Sequence, residues 1–204
     1  MTCGCNDECN LRTLREKQKS TLLAVFFINL VMLFVIMAAA LFGSSSALLA
    51  DSLDNLGDAL TYGLSLYVLS KSSKHKAMVA LFKGGLIFLA ACGVVGQIVF
   101  KLLSPSTPIF EIMGGFSIIS LIANSICLFL LWRHRQDDVN MSSVWECSRN
   151  DIATNLSVFI TAGAVWFTDS GWPDIVVACI LSLLLLRSSL RVTLSAIKEL
   201  KWGN

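Results

Sequence analysis

The sequence predicts an all-α, polytopic integral membrane protein with six transmembrane helices and both termini on the cytosolic side. Of its 204 residues 55% are hydrophobic and only 15% charged, at a mean hydropathy of +0.70, whereas a soluble domain carries about a quarter charged residues. The apolar residues gather in runs of about 20, the length that crosses a roughly 30 Å hydrocarbon core. Lys and Arg collect at alternate ends of these runs, which orients a chain in the bilayer.

The expected spans are residues 21–43, 47–69, 77–101, 109–132, 141–168 and 173–194. They follow a polar arm, 1–20, and precede a short tail, 197–204, so that the membrane domain is read as 21–196. The first two spans are joined by Gly43-Ser44-Ser45-Ser46 and the third and fourth by Ser104-Pro105-Ser106-Thr107-Pro108. Proline stops one helix there and starts the next. Gly171-Trp172-Pro173 separates the fifth and sixth, with Trp172 suited to the membrane interface. Basic residues mark the arm (Arg12, Arg15, Lys17, Lys19), the second loop (Lys71, Lys74, Lys76), the fourth (Arg133, Arg135) and the tail (Lys198, Lys201). The other connections hold only Lys101, at the end of its helix and beside Asp169 and Asp174, so both termini are placed in the cytosol. Lys83, near the cytosolic end of the third span, is expected to snorkel.

Net charge of +2 offers no nucleic-acid patch. The polar arm precedes the first apolar run, unlike a cleaved secretory signal, so it is read as retained and cytosolic; a plasma or bacterial inner membrane is expected. Seven cysteines are present, with Cys3, Cys5 and Cys9 crowded at the start. Reduced thiols on the cytosolic side bind soft metals, so these three are candidates for metal capture; a reduced tail without such a role is the plain alternative. No zinc-hydrolase motif, Ser/His dyad or phosphate loop points to an enzyme.

The second span departs from its apolar neighbours. It reads Ala-Asp51-Ser-Leu-Asp54-Asn55-Leu-Gly-Asp58, with Asp58 about 16 Å along the helix and near the midplane. An ionisable group at that depth costs several kcal/mol unless it faces the bundle interior or a wet cavity. Asp54 and Asp58 are spaced i, i+4 and share a face, while Asp51 is turned aside as an accessory group. The fifth span supplies partners in Cys147-Ser-Arg-Asn150-Asp151-Ile-Ala-Thr-Asn155. Asp151 lies about 15 Å in from the opposite membrane face, so it can meet Asp58. Cys147, Asp151 and Asn155 make one stripe, and two donors from each helix give the four that tetrahedral zinc prefers. A single buried Asp is often interhelical glue, but three carboxylates on two helices at matched depth favour a cation. Either Cys147 or Asn155 is the fourth donor beside Asp54, Asp58 and Asp151, with Asn150 a further accessory group.

At these residues the sequence resembles the cation diffusion facilitator family, exporters of zinc, cadmium, cobalt, manganese or iron. Ser46 through Asp58 is similar to the family's second helix, in which Asp54 and Asp58 match the first ligand pair. Cys147-x-x-x-Asp151 falls where the fifth helix has His or Asp followed by Asp, and Cys147 departs from that pattern. The resemblance covers all six spans and implies efflux of a divalent transition metal, zinc foremost, as transported substrate, by antiport with protons. It implies a minimal form without the family's cytosolic C-terminal domain, so a homodimer would pack through membrane helices. A non-transporting metal-binding subunit or sensor is the alternative; it predicts binding without flux.

Overall fold

The computed structural model describes residues 5–68, 73–133 and 139–202, with backbone alone at several helix ends. The described residues form six helices: α1 (Cys5–Phe42), α2 (Ser46–Val68), α3 (Ser73–Leu103), α4 (Phe110–Trp132), α5 (Val139–Thr168) and α6 (Trp172–Trp202). From residue 5 onward the expected arm and first span are one continuous helix, since nothing in 5–42 breaks it. Four helices contain stretches long and apolar enough to cross a membrane: Lys19–Phe42, Ala77–Leu103, Phe110–Trp132 and Trp172–Lys201. The other two, α2 and α5, are the helices that carry Asp51, Asp54, Asp58 and Asp151.

Packing explains that division. Large exposed apolar side chains such as Phe27, Phe34, Phe82, Phe129, Phe167 and Leu183 belong to the outer helices and to α5. Among the described residues α2 exposes none, while Ala47, Leu48, Ala50, Ala59 and Tyr62 are buried. An apolar outer surface around a more polar centre suits a chain whose solvent is lipid. The helices associate chiefly as pairs, α1 with α2, α3 with α6 and α4 with α5, and α2 also touches α3, α5 and α6.

Small residues allow two close approaches. Ser44 takes a left-handed conformation (φ 50°) in the α1–α2 turn. At Gly43 beside it, an added Cβ would sit 2.9 Å from both the Ala39 carbonyl oxygen and Ile112. The α3–α6 crossing passes over Gly84, whose carbonyl accepts a 3.0 Å hydrogen bond from Ser189 Oγ. Close backbone approach through small residues is the usual way membrane helices pack without a hydrophobic drive between them.

The start of α2, the end of α3 and the start of α6 are tied by one carboxylate. Asp174, in the first turn of α6, accepts Ser45 Oγ at 2.6 Å and Ala47 N at 3.0 Å on Oδ1. Its Oδ2 accepts Ser46 N at 2.9 Å and Lys101 Nζ at 2.9 Å. The group thus caps the start of α2, where backbone N–H groups have no intrahelical partner. Lys101 is not the loop-end charge expected from sequence: its side chain is 3% exposed and paired with a fully buried Asp174. The physical reason is burial, since an ammonium in that interior needs a counterion and Asp174 supplies it.

Candidate cation site

Asp58 lies 12 residues beyond Ser46 on α2, and Asp151 lies 12 beyond Val139 on α5. Each is therefore about 18 Å along its helix, and the two helices run in opposite directions. Their carboxyl groups come within hydrogen-bonding contact of each other. Two carboxyl groups hydrogen bond only through a proton held by one of them. A divalent cation bridging the pair would take that proton's place.

Around this pair the polar side chains divide into two sets. On one side is a cavity of about 560 Å³ between α2, α5 and α6, lined by Asp54, Cys147, Asn150 and Asp151 and, further along α6, by Arg187 and Arg191. Asp54 and Cys147 are half-buried there, Asp151 is 8% exposed, and Asn150 is exposed. On the other side Asp51 is held against α4, accepting Ser120 Oγ at 3.3 Å, with Asn55 Nδ2 donating to the Asp51 carbonyl at 3.0 Å. Asn155 is fully buried away from the cavity lining, and both its amide oxygen and its amide nitrogen lack hydrogen-bond partners. A buried amide left unpaired costs about 1–3 kcal/mol, so Asn155 is poised for a further donor or acceptor.

The structure thus draws Asp58 and Asp151 together and puts Asp54 and Cys147 on the same cavity wall as Asp151. It does not draw Asn155 or Asp51 onto that wall. Among the described residues no three His, Cys, Asp or Glu side chains form a preformed cage. A cation seated between Asp58 and Asp151 would have to draw its remaining donors inward. Cys3 lies outside the described residues, and Cys5 and Cys9 sit at the start of α1 with side chains outside the description.

Three residues that sequence reasoning did not assign to the site border the pair. Tyr62 is completely buried, and its hydroxyl donates to Asp58 Oδ2 at 3.4 Å. It stands four residues after Asp58, a spacing that already places both on one helix face. Lys83 does not snorkel: its ammonium crosses from α3 to donate to Thr61 Oγ1, close enough to Asp58 for its charge to act there. Thr61 in turn donates to the Gly57 carbonyl at 2.7 Å. The tethered ammonium of Lys83 therefore faces Asp58.

No curated protein is matched by this chain. Residues 22–201 match the cation efflux transmembrane domain, the membrane domain of the cation diffusion facilitators. That span reaches into all six helices, and the chain therefore belongs to the cation efflux family and is an integral, multi-pass membrane protein.

Proposed function

We propose that this metal cation transporter exports divalent transition metals through a site centred on Asp58 and Asp151, in exchange for protons. The observation that carries the reading is the contact between these two carboxyl groups, from different helices, in the interior of the bundle. Asp54 supplies a third oxygen donor, one turn away on α2. The shared proton and the cation then compete for the same oxygens, and that competition is the basis of antiport. Cys147, on the cavity wall, favours zinc and cadmium over manganese by the softness of its sulfur. Asn155 offers the alternative fourth donor, supported by its unpaired buried amide. We further propose six crossings with cytosolic termini and a homodimer packed through the apolar outer faces of the helices.

The test is metal uptake into inside-out vesicles under an imposed proton gradient, with zinc, cadmium, cobalt, manganese and iron compared. Asp58→Asn keeps size but removes charge, and is expected to abolish proton-coupled flux while the protein still purifies as a folded species. Normal flux in Asp58→Asn would sink the site. Metal binding without flux in the unaltered protein would instead make the chain a non-transporting cation-binding subunit.

A further inference from the structure

We propose that the wall of the α2–α5–α6 cavity around Arg187 and Arg191 binds a phosphate group, that of an anionic phospholipid in the leaflet bordering the inner half of α6. The two guanidinium groups are one turn apart on α6, both exposed, and both line the cavity. Among the described residues the one salt bridge is Lys101–Asp174, so neither arginine has a carboxylate partner there. Ser188 and Asn150 add a hydroxyl and an amide to the same lining. This is a set of donors suited to phosphate oxygens, for which the planar guanidinium fork is especially apt.

Depth and wall chemistry favour lipid over free phosphate. Arg187 and Arg191 lie 15 and 19 residues beyond Trp172, which is about 22 and 28 Å along the helix. In a roughly 30 Å core that is where a headgroup meets its acyl chains. Leu181, Leu184 and Leu185 continue the lining away from the arginines, giving an apolar wall for a chain below a basic rim for the head. Helices α5 and α6 pair mainly with α4 and α3 rather than with each other, so the seam between them is open to such a molecule. Basic pockets between membrane helices are a recurring way to hold acidic headgroups.

The site has an electrostatic consequence for the same cavity. Two uncompensated guanidinium groups oppose any cation drawn toward Asp54 and Asp151, and a bound phosphate cancels that field. The lipid site stands whether or not Asp58 and Asp151 carry the transported ion.

Binding of fluorescent phosphatidylglycerol to the purified full chain in detergent, followed by anisotropy, tests it. Unlabelled phosphatidylglycerol should compete, while phosphatidylcholine and inorganic phosphate at equal concentration should not. Arg187→Gln/Arg191→Gln should weaken binding by about thirtyfold, roughly fivefold for each basic residue. Lys198→Gln/Lys201→Gln, which removes the same charge further along α6 and off the cavity wall, should leave binding unchanged. Equal competition by phosphatidylcholine in the unaltered protein overturns the proposal without any variant. Displacement by inorganic phosphate overturns the lipid assignment, and an equal loss in the lysine variant overturns the cavity site in favour of general surface attraction.

Discussion

Replacing Asp174 by Asn removes one charge and reverses one hydrogen-bonding edge at the most constrained point of the bundle. The Asn oxygen can stand for Oδ1 and keep Ser45 Oγ and Ala47 N, now at 2.6 and 3.0 Å. Its NH₂ group then occupies the Oδ2 position, where it faces two other donors, Ser46 N and Lys101 Nζ, each 2.9 Å away. Lys101, 3% exposed, is left as a buried charge without its counterion. Breaking a buried pair from one side costs about 3–5 kcal/mol, or roughly 6–20 °C in melting temperature for a chain of this size. Lys101→Met should cost less, about 1–3 kcal/mol, because Asp174 keeps its three other donors. In the double variant the stranded ammonium is gone, so its loss should fall clearly below the sum of the two single losses. Thermal unfolding of the purified protein in detergent, scored by intrinsic fluorescence, measures all three. Strictly additive losses, or a loss below about 1 kcal/mol for Asp174→Asn, would refute the argument that this carboxylate pins the ends of α2, α3 and α6.

Three further outcomes are expected. If sulfur is the fourth donor, Cys147→Ser weakens zinc and cadmium transport more than manganese; if the buried amide is, Asn155→Ala weakens all three and Cys147→Ser does little. Metal-dependent flux across that series decides between them. A Cβ at Gly84 would meet the Thr193 backbone nitrogen at 3.3 Å and the Ser189 carbonyl at 3.4 Å, whereas one at Gly93 meets nothing within 4 Å. Gly84→Leu should therefore cost about 1–3 kcal/mol by forcing α3 from α6, and Gly93→Ala should be close to neutral in the same unfolding assay. Single cysteines placed at Ser106 and Gly171, in a background with the native cysteines replaced, should label from outside intact cells and those at Ser72 and Asp137 should not; labelling of Ser72 from outside reverses the orientation.

The number of helices and their approximate ends were legible because span length and proline or glycine punctuation are local properties of the chain. The expected second span, 47–69, corresponds to α2 at Ser46–Val68, and the fourth, 109–132, to α4 at Phe110–Trp132. The approach of Asp58 to Asp151 was legible for a similar reason: depth is a count of residues times the helical rise. What remained hidden depends on how each helix is rotated and on what lies opposite. Lys83 near a membrane edge reads equally well as a snorkelling anchor or as an inward charge, and only the neighbouring Thr61 on α2 decides it. Lys101 and Asp174 looked like ordinary residues at helix ends, since their pairing spans 73 positions. Asn155 sat in the right stripe, yet the structure turns it away from the cavity lining that holds Asp151.

These cases share one geometrical cause, visible on α2. At about 100° per residue, Asp54, Asp58 and Thr61 fall to one side of a polar stripe and Asp51, Asn55 and Tyr62 to the other, together covering an arc of about 120°. The arc is too wide for one partner helix. Thr61 therefore meets α3 through Lys83, Asp51 meets α4 through Ser120, and Asp58, near the centre of the arc, meets α5 through Asp151. A helix with polar groups over so wide an arc cannot face lipid on those sides, and with α1 and α6 packed on it as well, α2 alone among the described helices exposes no large apolar side chain. Its central place is thus a consequence of the same residues that make the candidate site. The outer cap at Asp174 then fixes the start of α2, and with it the level at which Asp54 and Asp58 stand in the membrane.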